Sequence, residues 1–241
     1  MKFQEFGFAT LVFATMIAVG SASATCSNAT FSGVWGYFVG AAVGQFTSDG
    51  NGNVTGSSTV SNNGAIETQT YTGTYSISKN CTGSLTLNIA GGGTSNNNFV
   101  VDDGKKGAQV INTNSGSAAS GFALAQGVVT CGLTGKKATF AANLIGEIPG
   151  TGPIAYVFQV TLDGKGNVSS GSGTFDVSGN YVTAPSIKGT YTENDDCTGT
   201  MQITPSGFGT LNFNFVVVSA GKEILLLETD TDTVVGGYMQ Q

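Results

Sequence analysis

The segment QFTSDGNGNVTGSST, Gln45 to Thr59, returns later in the chain as QVTLDGKGNVSSGSG from Gln159. The match continues downstream at a nearly constant offset. TGTYSISKNCTGSLTL from Thr72 falls on KGTYTENDDCTGTMQI from Lys188, and NFVVDDGKKGAQVINT from Asn98 falls on NFVVVSAGKEILLLET from Asn214. Three separate blocks in the same order and spacing mark an internal duplication. Within the opening stretch, Asp-Gly and the following Gly provide the positive φ angles that a tight strand-to-strand turn needs, so each copy contains the same hairpin.

The rest of each copy alternates in the same way. SLTLNI sets Leu85, Leu87 and Ile89 against Ser84, Thr86 and Asn88; TLNFNFVV sets Leu211, Phe213, Phe215 and Val217 against Asn212 and Asn214. A period of two with one apolar face marks half-buried antiparallel strands. Turn residues divide the first copy into eight strands, near 30–38, 42–48, 53–60, 65–78, 83–90, 96–102, 107–113 and 119–126. Eight short-looped strands close into an up-and-down barrel without a free edge. The sequence therefore predicts an all-β chain of two small antiparallel barrels in tandem, with β-sandwiches as the alternative and no helix after the leader. The expected repeats are residues 25–127 and 128–241, joined near Ala125 to Thr130.

The first 24 residues have Lys2, an apolar run from Phe6 to Val19, and small residues at Ala22 and Ala24. That is the pattern of a cleaved secretory signal peptide, and the run is short of the roughly 20 residues that a membrane-spanning helix requires. An exported chain is a setting for disulfides. Each copy opens with a cysteine, Cys26 or Cys131, and has a second in its CTG block, Cys81 or Cys197. The simplest pairing is one bridge per copy, Cys26–Cys81 and Cys131–Cys197; two other pairings remain open from the sequence.

The GTY and CTG blocks, each downstream of a DGxGNV hairpin, resemble a group of uncharacterised exported bacterial repeat proteins. More loosely, FSGVW followed by a glycine hairpin and YTGTYSI is similar to avidin-like and lipocalin-like β-barrels. The first resemblance implies a fold rather than an activity. Neither supplies a ligand-binding motif that transfers residue by residue.

Composition narrows the function. The chain has 241 residues, a formal charge of −6, no histidine, and only 10% charged residues, against roughly 25% in ordinary soluble domains. Acidity without a basic cluster disfavours nucleic acid and anionic membrane surfaces. The missing histidine removes Ser-His-Asp and Cys-His catalysis and His-ligated zinc and haem. No catalytic set and no cofactor site is expected, and the chain reads as a non-enzyme. A carboxylate-dependent hydrolase or isomerase is the remaining enzymatic alternative, with Asp102 and Asp103 as an acidic pair.

Trp35 and Tyr37, in FSGVWGYF, are candidates for ligand contact as well as for core packing. Glu193, Asp195 and Asp196, in TENDDC, are a weak candidate cation site, because hard cations take oxygen ligands. The copy-one equivalents Ile77, Lys79 and Asn80 lack those carboxylates. The runs NFVVV and EILLLE read as buried strands, or as an edge on which molecules self-associate. The leading expectation is a secreted binding or surface module for an unidentified small apolar molecule or glycan, in the periplasm, at the cell surface or outside the cell. A self-associating structural or adhesive protein is the alternative.

Overall fold

The computed structural model describes residues 25–127 and 131–241. The leader, residues 1–24, and the second half of the expected junction, residues 128–130, lie outside the described residues. Strands β1 (Gly33–Val39), β2 (Ala42–Ser48), β3 (Asn53–Asn62), β4 (Ala65–Ile77), β5 (Thr82–Ile89), β6 (Thr94–Val101), β7 (Gly107–Asn112) and β8 (Ser120–Ala125) pair in sequence order. The ring closes where β1 pairs antiparallel with β8, Tyr37 opposite Ala123. That closure distinguishes a barrel from a sandwich.

The second copy repeats the plan with β9 (Ala138–Ile148), β10 (Gly152–Leu162), β11 (Asn167–Val177), β12 (Asn180–Ala184), β13 (Ile187–Glu193), β14 (Thr198–Pro205), β15 (Leu211–Val218), β16 (Glu223–Glu228) and β17 (Val234–Gln240). It closes through β10–β11 and β17–β9. Its extra strand arises at Pro185, which lies between Ala184 and Ile187 where copy one has Gln69 and Tyr71. Proline donates no backbone N–H, so the strand that runs unbroken as β4 is divided into β12 and β13, both paired with β11. No α-helix occurs among the described residues. Two single 3-10 turns, Asn28–Phe31 and Ser219–Gly221, depart from the strand-only expectation.

The duplicated motifs build one joint at the closed end of each barrel. Asp49 accepts hydrogen bonds from the Asn51 and Asn53 amides at 2.7 and 3.0 Å and from Asn53 Nδ2 at 2.7 Å. Asp163 repeats all three on Lys165 and Asn167 at the same distances. These donors hold both carboxyls below their ordinary range. Gly50 and Gly164, at φ 76° and 77°, supply the left-handed backbone. The GTY strand then docks on this loop, with Tyr75 N–H donating to Gly52 O and Tyr191 N–H to Gly166 O, both at 2.8 Å. Disulfides Cys26–Cys81 and Cys131–Cys197 complete the two ends, one bridge per copy.

The barrels pack wall to wall. On β15 and β16, Phe213, Phe215, Val217, Ile224 and Leu226 face the barrel interior, while Val216, Val218, Leu225 and Leu227 face outward against Val43 and Phe38 of the first barrel. Burial on both faces explains why NFVVV and EILLLE are apolar without alternation. A Cβ at Gly36 would come within 2.5 Å of Val218 Cγ1 and 2.7 Å of Val216 Cγ1, so glycine sets the approach of the two walls. Among the described residues, β12 is the one strand left at a sheet end.

Candidate functional site

The two interiors differ although their frameworks match. The second is filled by rings. Tyr156 and Phe175 centroids are 5.2 Å apart, Phe158 and Phe175 5.7 Å, Tyr156 and Phe208 5.6 Å, and Phe175 and Phe208 5.0 Å. Strand register identifies the counterparts in the first barrel. Tyr156 lies between Leu144 and Phe175, as Ala42 lies between Val39 and Val60. Phe158 likewise matches Gly44, and Phe208 in the β14–β15 turn matches Gly92 in the β5–β6 turn. Four aromatic positions thus become Ala42, Gly44, Val60 and Gly92.

Ala42 and Val60 border a cavity of about 190 Å³ inside the first barrel, whereas the Tyr37 hydroxyl takes up the space over Gly44. The cavity floor rests on Phe31, Phe46 and Phe99, and Leu85, Leu87, Ile89 and Val110 supply an apolar wall. Polar groups stand on two sides. On one, Asn112 Nδ2 donates to Ser95 Oγ at 2.9 Å and to Asn97 Oδ1 at 3.3 Å. On the other, the Tyr37 hydroxyl faces the hydroxyls of Ser58 and Tyr71, and Tyr71 Oη donates to Gln45 O at 3.0 Å. The cavity wall contains no charged side chain.

Burial raises the pKa of Tyr37, partly offset by its Ser58 and Tyr71 contacts; burial and then the neighbouring Tyr37 raise that of Tyr71. Both phenols stay protonated at neutral pH and act as uncharged donors and acceptors. The site is therefore suited to holding a neutral molecule with an apolar body and a hydrogen-bonding group. It offers no charged acid, base or oxyanion partner.

The sequence candidates fall in different places. Tyr37 lines the cavity. Trp35 lies beneath it, 1% exposed, with its ring 4.4 Å from Phe31 and Nε1 donating to Phe31 O at 2.9 Å. The three carboxylates of TENDDC do not converge, and no group of three or more His, Cys, Asp or Glu side chains is placed to hold a metal among the described residues. Glu193 instead accepts from the Leu133 and Thr134 amides and the Thr134 hydroxyl at 3.2, 3.0 and 2.7 Å, fixing the entry to the second barrel. Asp196 accepts from Thr198 N–H at 3.0 Å and from Gln45 Nε2 at 2.9 Å across the barrel contact. Asp195 is exposed beside it. Asp102 belongs to the β6–β7 turn, where it accepts from Lys106 N–H at 3.0 Å.

Sequence reasoning missed Ala42, Val60, Ser95, Asn97 and Asn112. The signal was available in the alignment of the copies, where Ser95 and Asn97 stand against Leu211 and Phe213. Polar residues on one inward face, opposite apolar ones on its duplicate, mark a wall that lines space.

No family model matches the chain, and no curated protein matches it. Among solved structures it is similar to isotype 1 transferrin binding protein B from serogroup B Neisseria meningitidis, with a TM-score of 0.36 and 8% identity. The match covers 83% of this chain and 64% of that one, so the chain spans less than two thirds of that protein.

Proposed function

We propose that the chain is an exported, non-enzymatic binding protein whose first barrel holds a small, neutral, mostly apolar molecule, with the second barrel as a filled support. One observation carries this reading: Ala42 and Val60, which stand where the second barrel has Tyr156 and Phe175, border a cavity of about 190 Å³ with an uncharged wall in one barrel of a matched pair. An apolar cavity of about 150 Å³ accepts benzene, so a single-ring or short-chain molecule suits this space. Polar groups on both sides favour a ligand with a hydroxyl, amide or carbonyl group. A glycan on the outer wall is the competing ligand class. The signal-like leader and the two disulfides support a place outside the cytoplasm.

Calorimetric titration with p-cresol, a neutral phenol of suitable size, tests the reading. Saturable binding at one site is expected. Ala42→Tyr, which copies the second barrel's Tyr156, is expected to weaken it by at least about tenfold, about 1.4 kcal/mol. Equal affinity in the Ala42→Tyr variant would place binding elsewhere. Absence of binding by p-cresol and by 1-hexanol would sink the interior-ligand reading.

A further inference from the structure

Glu228, the last residue of β16, turns inward opposite Phe213. Its side chain is 1% exposed and its Oε2 has no hydrogen-bond partner. The Tyr156 hydroxyl faces it from β10, and the Asp230 carboxylate and Thr233 hydroxyl face it from the loop leading into β17. These groups include no cation. Asp230 is in turn fixed by Asn212 on β15, through the backbone amide at 2.9 Å and Nδ2 at 2.6 Å. Burial first, and the negative charge of Asp230 second, raise the Glu228 pKa to about 7.

The loop that carries Asp230 and Thr233 is also one half of the contact between barrels. Asp232 N–H donates to Gly64 O at 3.1 Å, and the Ser61 hydroxyl donates to Thr233 O at 2.7 Å. Gly64 lies at the tip of the β3–β4 hairpin, where a Cβ would come within 2.5 Å of Asp232 Cα. A carboxylate formed inside the barrel beside Asp230 needs either water or distance. The strands around it are held by continuous ladders, whereas residues 229–233 are held by a few separate hydrogen bonds, so the loop is the part that yields.

We propose that this joint is proton-sensitive: loss of the Glu228 proton drives the 229–233 loop away from the β3–β4 hairpin tip and loosens the contact between the two barrels. The first barrel contains a version of the same loop that does not titrate. Asn112 replaces Glu228 and is satisfied by Ser95 and Asn97, and Asn114 replaces Asp230, holding Asn96 N–H at 2.9 Å. The device stands whether or not the first barrel's cavity is occupied.

Amide exchange at Asp232, followed by NMR and corrected for the base-catalysed rise in intrinsic rate, reads the joint directly. Protection is expected to fall at least about tenfold between about pH 6 and about pH 8. It should stay level in Glu228→Gln and in Glu228→Asn, the latter copying Asn112. A level profile in the unmodified protein, or the same fall in a folded variant, overturns the proposal. If neither variant folds, NMR titration of the Glu228 carboxyl in the unmodified protein decides. A midpoint near 7 with concurrent shifts at Asp232 and Gly64 supports the switch, and a midpoint in the ordinary carboxylate range overturns it.

Discussion

The two barrels share the Asp-Gly-x-Gly-Asn clamp, the GTY strand and the CTG disulfide, yet one interior is closed by stacked rings and the other has room for a guest. The framework residues lie at one end and in the backbone ladders, where a change disturbs the whole ring. Side chains near the other end answer only to their neighbours across the barrel. A duplicated fold therefore tolerates divergence there, and in this chain the divergence exchanges tight packing for space.

The sharpest way to break the comparison is to empty the filled barrel. Phe175 is fully buried against Tyr156, Phe158 and Phe208, so Phe175→Ala should cost about 5 kcal/mol, the upper end for such deletions. Its counterpart Val60→Ala should cost far less, since Val60 already borders the cavity; denaturant midpoints for the two variants measure the gap. Next come the disulfides. Closing chain separations of 55 and 66 residues, each should contribute about 4 kcal/mol, so Cys26→Ser with Cys81→Ser and Cys131→Ser with Cys197→Ser should destabilise the two barrels alike. Trp35 is buried in the first barrel, so its emission reports that barrel's unfolding.

Glu228 should separate the barrels by pH. Its folded pKa of about 7 lies above the ordinary 4.5, so the native state binds the proton more tightly than the unfolded chain. Stability is then fullest below about pH 4.5, falls as pH rises towards 7, and levels off above, with a loss of about 3 kcal/mol. Unfolding of Glu228→Gln across this range should lack that slope. The smallest effect is expected at the shared clamp. Asp49→Ala and Asp163→Ala, in surface loops, should lower the melting temperature slightly and equally, and a large difference between them would show that the matched loops do unequal work.

Much of this was legible beforehand. Eight strands in the first copy, a barrel ahead of a sandwich and one bridge per copy as the simplest pairing followed from alternation, glycine turns and repeated cysteines, all local or nearly local signals. Strand boundaries differ by a few residues from those expected: β3 runs to Asn62 and β6 starts at Thr94. The division of β12 from β13 at Pro185 has no counterpart in the first copy, whose strand β4 runs unbroken. The acidic turn suggests a ligand cluster from sequence because its carboxylates are adjacent along the chain. In the fold Glu193 reaches the Leu133–Thr134 amides and Asp196 reaches Gln45, each answering a different neighbour.

The sequence by itself determined the duplication, the all-β architecture and the repeated hairpins, because strand periodicity and positive-φ glycines act over short stretches that repeat. Only the tertiary structure decided that Ala42, Val60 and Asn112 border one space, that Val216, Val218, Leu225 and Leu227 seal the barrels together, and that Glu228 is enclosed beside Asp230. Volume, contact between walls and desolvation are properties of residues brought together from distant strands. Closing the ring brings them together.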